Sequence, residues 1–510
     1  MTDIKFSAKD LRQISLLGLT TKDVLHQISN YKNGFSAVVL DAPATVENNG
    51  IFRFSKEEED FYISYYEEHS ANKNILKFVP ASGAATRMFK DLYDFKSSFD
   101  SSKNSLEDFP AVKEVIDNIK RFAFYEFLLP FGIENALKEK NYLKVVELIL
   151  DDSGLSYGQS PKATIVFHKY DDQVRTSFEE HLVEAAKYCV NDKKEVRLHF
   201  TISGNHKEKF SELLKKVKAK YEERFSCTYE VEFSEQKSST DTVAVYLDNS
   251  LVRDNEGNIV FRPAGHGALI ENLNEINADI VFIKNIDNVI HDKYKDTTYK
   301  YKKALAGILV SVKKKIDSYL NILSKQSFEK SLFEEIKEFC KNNLFLELKD
   351  LSSFKDIEDY RDYLLSILNR PIRVCGMVKN EGQPGGGPFW IRRENGELSL
   401  QIVESAQVDM KDENQKEIFN NSTHFNPVDL VCLIKNFKGE KFELTDFVDY
   451  NTGFITEKSQ QAHKIKVQEL PGLWNGSMAN WITIFVQVPL ETFTPVKTIN
   501  NLLDKGHNPF

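Results

Sequence analysis

"FVPASGAATRMFK", residues 78–90, begins as an apolar run with strand character, breaks into small residues and ends in Thr86, Arg87 and Lys90. A strand that turns through "ASGAAT" into a helix "RMFKDLYDF" aims several backbone N–H groups at one spot, beside the positive end of a helix dipole. That geometry binds phosphate. The Arg87 guanidinium adds two parallel donors and keeps its charge at any working pH. The loop is not a Walker A sequence, which needs a second glycine and a Lys-Ser/Thr end. The plainer reading is a capped turn with a surface arginine, against which stands the poor fit of a cation to a helix N-terminus.

Outward from this stretch, strand and helix patterns take turns. "ILKFVP" is extended, "EVIDNIKRFAFYEFLL" helical, "ATIVFHKY" extended, "SFEEHLVEAAKYCV" helical with an acidic first turn, and "EVRLHFTIS" extended. A Lys-rich helix at 206–224, the strand "YEVEFSEQ" and the apolar strand "ADIVFIKNID" follow. Such alternation predicts an α/β domain with a mostly parallel sheet, whose ligands lie at the carboxyl ends of strands. Before it, residues 5–30 read as short helices, and "KEEEDFYISYYEEHS" (56–70) as a helix whose aromatic stripe packs in the core. Residues 301–368 carry amphipathic helical spacing without strand signal, after which "RPIRVCGMVKN", "SLQIVE", "VDLVCLI" and "WITIFVQVP" are strand-like. The expected organisation is a helical segment at 1–75, a nucleotide-binding half at 76–300, a helical insertion at 301–370 and a completing half at 371–510.

Composition narrows the function. The chain has 510 residues, enough for two or three modules, and a net charge of −9, which provides no broad basic field for nucleic acid. No stretch approaches 18 uncharged apolar residues and the N-terminus lacks a leader pattern, so a cytoplasmic protein without a membrane span is expected. Five scattered cysteines without C-x-x-C pairing give neither a disulfide framework nor a cysteine zinc site. The histidines His168, His181, His199, His206, His266 and His424 show no metal-binding spacing and read as hydrogen-bonded structural residues or loop donors.

Several motifs, in order, resemble those of UDP-sugar pyrophosphorylases, sugar nucleotidyltransferases with a GT-A-like (Rossmann-like) core. Residues 79–88 resemble the family's L-x-x-G-G-x-G-T-R-[LM] loop, which implies that Ser82, Gly83, Ala84, Ala85 and Thr86 cradle the nucleotide and Arg87 its phosphates. The family's Pro-Lys pair does not follow closely, Asp94 standing near that place, but "SPKATIVFHKY" resembles it after an insertion and gives Lys162 the role. "FSEQKSS" resembles the F-x-Q element, making Gln236 the nucleobase partner, and "FRPAGHGALIENL" the P-x-G-H-G segment, placing Gly265, His266 and Gly267 at the base or ribose. "IVFIKNIDNVI" resembles the strand whose aspartate holds Mg²⁺, here Asp287. "SLQIVESAQVD" implies Glu404 for sugar hydroxyls, "STHFNPVDLVCL" either His424 or Asn426 for the sugar, and "ETFTPVKT" Lys497 for phosphate.

The whole chain, including "STDTVAV", "RTSFEEHLVEAA", "PGGGPFWI" and "LPGLWNG", most closely resembles the domain-of-unknown-function family numbered 4301. The more distant resemblance implies a uridylyltransferase-like enzyme using a nucleoside triphosphate, a sugar 1-phosphate and Mg²⁺. Against it, Ser82 and Ala85 replace loop glycines, each adding a β-carbon where backbone meets phosphate. Two other readings stay open: a non-catalytic nucleotide-sugar-binding protein, and another GT-A-like glycosyltransferase or phosphotransferase. The run "GQPGGGPFW" (382–390) is either a lid or a tight connection.

Overall fold

The strand Ile75–Pro80, whose first five residues are buried, carries the opening stretch as expected. It belongs to a computed structural model that describes residues 4–47, 50–83, 85–100, 102–103, 105–325, 329, 331–382, 385–393, 395–460 and 463–509. The chain divides into two units: a first of Met1–Tyr66, Gln236–Val281 and Leu305–Val488, and a second of Glu67–Glu235, Phe282–Ala304 and Pro489–Phe510.

The second unit is built on parallel strands. Ile75–Pro80 pairs with Glu195–Ile202, from Leu76↔Arg197 to Pro80↔Thr201, and Glu195–Ile202 with Thr228–Glu235, from Glu195↔Thr228 to Ile202↔Glu235. The helices Ser177–Tyr188 and Lys207–Phe225 lie between these strands in sequence, as parallel pairing requires. Ser177–Tyr188 starts on a capping box in which Thr176 and Glu179 satisfy each other's backbone N–H groups. Glu180 and Glu184, one turn apart on this helix, are both fully buried. A separate apolar cluster, with Ala85, Phe89, Leu92, Phe124, Val146 and Ile149, fills the helical part of the unit at residues 85–150.

Two sequence expectations change in this unit. "EVIDNIKRFAFYEFLL" is not one helix: it is divided among Pro110–Asp117, a 3₁₀ turn Ile119–Arg121 and Tyr125–Leu128. Phe122, Ala123 and Phe124 are all buried, and three successive side chains cannot share one face of an α-helix. The helix after the opening loop begins at Lys90, not Arg87; residues Ala85–Arg87 form a 3₁₀ turn that brings the buried Ala85 and Met88 to one side. Arg87 therefore stands before the helix rather than at its first turn.

The first unit mixes strand directions. Ile372–Lys379 pairs in parallel with Ile482–Gln487 and antiparallel with Asp429–Leu433 and His424–Phe425. Gly387–Arg392 and Leu398–Val403 form a hairpin joined by Leu40–Pro43, and Phe454–Gln460 with His463–Glu469 forms another. The fold is thus mixed α/β; parallel order holds for the three-strand ladder of the second unit, which also has the antiparallel pair Val166–Lys169 and Val174–Thr176, while the first adds further antiparallel ladders. The N-terminal helices Ala8–Leu16 and Thr21–Asn33 pack Ile14, Val24, Ile28 and Tyr31 against Val243, Val245 and Ile259.

Lys56–Ser70 is a helix as expected, but its aromatic stripe is only partly core: Tyr66 is buried while Phe61 is 55% exposed. The 301–368 region forms Lys295–Leu323, Ser331–Asn343 and Ile357–Leu368. Of the 382–390 run, Gln383 and Pro384 lie outside the described residues, and from Gly387 it is strand. All five cysteines are free and all but Cys227 are buried. No helix among the described residues is long and apolar enough to cross a membrane.

Candidate active site

The carboxyl ends of the second unit's strands draw three loops together. Ala81 N–H donates to the Thr201 carbonyl (2.9 Å), Ser203 Oγ–H to the Ser82 carbonyl (2.9 Å) and Ile286 N–H to the Pro80 carbonyl (3.4 Å). The loop 81–87 is thereby tied to the residues after two neighbouring strands, the position at which α/β folds bind ligands.

Within that loop, Thr86 and Arg87 are exposed, and Arg87 forms no ion pair among the described residues. Gly83 is exposed, and a β-carbon built there meets nothing within 4 Å. Ala85 is different. Its methyl is buried in the cluster with Met88 and Phe89, and its N–H donates to the Ser160 carbonyl at 3.4 Å. Alanine at this position therefore serves packing, and one backbone donor of the loop is already committed. Ala84 lies outside the described residues. Asp94 pairs with Lys90 one turn away on the helix surface.

Lys162, Asp287 and Lys497 meet. Lys162 sits in a 3₁₀ turn after Pro161, and its Nζ donates to Asp287 Oδ2 (3.0 Å) and to the Val496 carbonyl (2.7 Å). Lys497 Nζ lies 3.9 Å from the same carboxylate oxygen, on a side chain that is 63% exposed. The C-terminal segment is laced beside Asp287: Val496 N–H donates to the Asp287 carbonyl (3.1 Å) and Thr494 N–H to Asn288 Oδ1 (3.0 Å). Among the described residues no group of three or more His, Cys, Asp and Glu could hold a metal ion.

Behind these loops the unit is ionic. Lys77 and Lys284 both donate to the buried Glu184, at 2.9 Å and 3.0 Å. Burial alone raises the Glu184 pKa, but Lys284 and Lys77 outweigh it and hold the group well below the carboxylate range. Burial pushes Lys77 down to about 8 against the pull of Glu184. His181, kept neutral by burial and by Lys77, donates from Nε2 to the Ile286 carbonyl (3.2 Å), one residue before Asp287. Glu180 accepts from Lys295, from His168 Nδ1 (2.7 Å) and from the Tyr170 hydroxyl (2.7 Å).

The predicted base and sugar residues lie in the first unit and are engaged in hydrogen bonds within it. Gln236 Nε2 donates to Thr240 Oγ1 (3.2 Å). His266 accepts the Leu473 N–H at Nδ1 (3.0 Å) and stacks on Trp474 with centroids 4.4 Å apart; burial keeps it neutral against Glu404 and Glu469. Asn475 Nδ2 donates to Glu404 Oε1 (3.0 Å), so residues 473–475 join His266 to Glu404. The glycines flanking His266 serve this packing: a β-carbon on Gly267 would lie 2.0 Å from the Pro471 carbonyl, and one on Gly265, at φ +79°, 2.8 Å from Glu469. His424 bonds Thr423 Oγ1 (2.8 Å) and Gln487 Oε1 (3.2 Å). Asn426 Oδ1 accepts the Val428 N–H (2.9 Å) and holds a turn in which Val428 takes φ 57°, a strained value for a β-branched residue.

Sequence reasoning passed over two features. Lys209, on the first turn of Lys207–Phe225, donates to Ser160 Oγ (3.3 Å), whose carbonyl accepts from Ala85, so a further cation stands beside the loop. Its signal was submerged in a Lys-rich helix. Trp474 and Asn475 had no signal beyond the Gly- and Pro-containing run "LPGLWNG".

Among solved structures, the uridine diphosphate N-acetylglucosamine pyrophosphorylase of Trypanosoma brucei is similar over 96% of this chain and 75% of its own, with 13% identity and a TM-score of 0.49. A mutant UDP-glucose pyrophosphorylase of Leishmania major is similar over 98% and 79%, with 11% identity and a TM-score of 0.44. For the UDP-glucose phosphorylase of Trypanosoma brucei the shares are 97% and 77%, the identity 13% and the TM-score 0.44. No curated protein matches the chain. Residues 7–508 match the family described as Domain of unknown function (DUF4301), and the chain belongs to that family.

Proposed function

We propose that this protein is a sugar-1-phosphate nucleotidyltransferase, uridylyltransferase-like, that joins a nucleoside triphosphate and a sugar 1-phosphate into a nucleoside diphosphate sugar and pyrophosphate. The observation that carries the reading is the meeting of Lys162, Asp287 and Lys497 at the strand ends that also hold the exposed Arg87 loop.

The chemistry follows from charge. A phosphate monoester has a second pKa of about 6, so the attacking oxygen is ionised near neutrality and needs no general base. It attacks the α-phosphorus, and the bond to the β-phosphate bridging oxygen breaks with its electron pair leaving on pyrophosphate. The chain's work is to hold like-charged groups together. An ammonium has three donors; Lys162 commits two, to Asp287 and the Val496 carbonyl, which leaves one for a phosphate oxygen. Arg87 and Lys497 supply further positive charge, and Lys209 stands close enough to the loop to add to it. Gln236 and the Gly265, His266 and Gly267 segment are proposed for the nucleobase and ribose, and Glu404 with His424 or Asn426 for the sugar. Magnesium that arrives with a triphosphate needs few protein ligands, because this ion keeps several waters and takes others from phosphate, and Asp287 Oδ1 is not the oxygen that faces Lys162 and Lys497. Asp287 would hold it, and the ion would supply charge neutralisation on the phosphates.

One observation favours a second reading, a nucleotide-sugar-binding protein without turnover: Ala85 gives its N–H to Ser160 and its methyl to the core, so the loop offers fewer donors than an all-glycine cradle. Thermal-shift measurements with ATP, GTP, CTP, UTP and dTTP, each with and without Mg²⁺, test both. A triphosphate at 100 times its dissociation constant adds about 2.7 kcal/mol to the folded state. Magnesium-dependent stabilisation by UTP, lost in Asp287→Asn, is the expected result, followed by pyrophosphate release on adding sugar 1-phosphates. Stabilisation without release would favour the binding protein, and no shift with any triphosphate would defeat both readings.

A further inference from the structure

A concavity lies in the second unit, assembled from three parts of the chain. In "NIKRF" (118–122) the 3₁₀ turn Ile119–Arg121 sends Ile119 into the core and leaves Lys120 and Arg121 exposed. "FHKY" (167–170) ends the strand Val166–Lys169, and the last residues of the chain, to Pro509, close the third side. Together they enclose about 620 Å³, within the range of small-ligand sites. Phe167 and Leu502 form an apolar floor, Lys120, Arg121 and Lys169 a cationic rim, and His507 part of the wall.

The rim's charges are incompletely matched. Lys169 donates to Glu126 (2.6 Å), but among the described residues Arg121 donates to the neutral Asn118 amide (3.2 Å) and neither it nor Lys120 forms an ion pair. Asp171 is the only acid among the lining residues. Among the lining residues three cations, Lys120, Arg121 and Lys169, face one carboxylate, Asp171, over an apolar floor, and Glu126 pairs with Lys169. The wall is rigid. His507 Nδ1 bonds His168 Nε2 (2.8 Å), His168 Nδ1 bonds Glu180 (2.7 Å), and Asn508 Nδ2 donates to the Arg121 carbonyl (2.8 Å). A preformed apolar floor with an arginine fork at its edge fits a phosphate monoester that carries a ring or a short hydrocarbon body.

We propose that this concavity is a second ligand site, for a small organic phosphate. Its occupancy would bear on the Lys162 cluster, because one run of chain serves both places. His291 N–H donates to the Gly506 carbonyl (2.9 Å), Ile499 N–H to the Met88 carbonyl (3.0 Å) and Val496 N–H to the Asp287 carbonyl (3.1 Å). A ligand that holds residues 502–509 thus steadies the segment that carries Lys497 and the carbonyl under Lys162. Binding stands independently of the nucleotidyltransferase reading; only the consequence for turnover rests on it.

Isothermal titration of the full chain with phenyl phosphate tests the site. Saturable binding at millimolar concentration or below is expected, weakened about tenfold or more in the double variant Lys120→Ala, Arg121→Ala and unchanged in Arg87→Ala. Both substituted side chains are exposed, so the double variant should melt with the wild type. The proposal is overturned if no heat is seen, if the double variant binds as well as the wild type, or if Arg87→Ala abolishes binding and so places the probe at the strand-end loop. Hydrogen exchange gives a second readout: phenyl phosphate should slow exchange at 494–509, and unchanged exchange there removes the link to Lys497.

Discussion

Glu184 in the second unit and Gln401 in the first are both nearly inaccessible to solvent, yet they are satisfied in opposite ways. Glu184 accepts from the ammonium groups of Lys77 and Lys284. Gln401 donates to Ser399 Oγ (2.9 Å) and the Ala479 carbonyl (2.7 Å), and its own oxygen accepts from Arg373 (3.4 Å). Even Arg373, buried like Glu184, meets neutral acceptors: Thr483 Oγ1 (2.9 Å) and the Trp474 carbonyl (2.5 Å) in addition to Gln401. The buried centre at Glu184 is therefore satisfied by ions and the one at Gln401 and Arg373 by dipoles, although the first unit also buries Asp10 against Arg253. Removing one member of a buried ion pair strands a charge, whereas losing a neutral partner leaves only one group unsatisfied. The ionic Glu184 centre lies in the unit that carries the proposed phosphate chemistry.

This contrast is breakable. The largest effect is expected at Glu184: Glu184→Ala leaves Lys77 and Lys284 without their carboxylate and should cost about 3–5 kcal/mol in a urea titration. Glu184→Gln should recover part of that loss by keeping the shape. A loss below about 1 kcal/mol, the scale of an exposed pair, would mean that the ions are not the frame.

Acid should act next, and unevenly. Burial lowers His181, His291 and His507 in the second unit, the last to about 3, and His266 and His424 in the first. Each is neutral when folded and takes up a proton when unfolded below its ordinary pKa of about 6.5. The unfolded chain then binds more protons, so stability is complete above pH 6.5 and falls as pH drops towards the folded values, by up to about 1.4 kcal/mol per pH unit for each histidine. Hydrogen exchange between pH 7 and 5 should show the second unit opening first, and His507→Gln should flatten that dependence. Equal loss in both units would erase the distinction.

The smallest effect belongs to the neutral side. Gln401→Ala removes an acceptor from Arg373 and a donor from the Ala479 carbonyl, for which about 1–2 kcal/mol is expected by chemical denaturation. A cost equal to that of Glu184→Ala would show that dipoles carry as much of the first unit as ions do of the second.

Much of the local structure is legible from spacing alone. "ILKFVP" is a strand to the residue, "EVRLHFTIS" is one up to Ile202, and 56–70 is a helix over the span its pattern predicts. The failures have a common cause. The helix after the opening loop starts late because Ala85 and Met88 are drawn into the core, and the 114–129 helix breaks because Phe122, Ala123 and Phe124 all turn inward. In both places burial by distant residues overrides local propensity. The acidic turn of "SFEEHLVEAAKYCV" carried the same ambiguity: nothing near Glu180 and Glu184 in sequence says that they are buried, since the lysines that pair with them are Lys295, Lys77 and Lys284.

By itself, then, the sequence determined the alternation of strand and helix, the loop after Ile75–Pro80 and the acid that follows Ile280–Lys284, because periods of 2 and 3.6 and the residues that end them are local properties. Only the tertiary structure decided that Lys162 reaches Asp287, 125 residues away, and the Val496 carbonyl, 334 away, and that Glu184 meets Lys77 across 107. Those meetings are set by the path of the chain and by the need of each buried charge for a partner, which no neighbouring residue encodes.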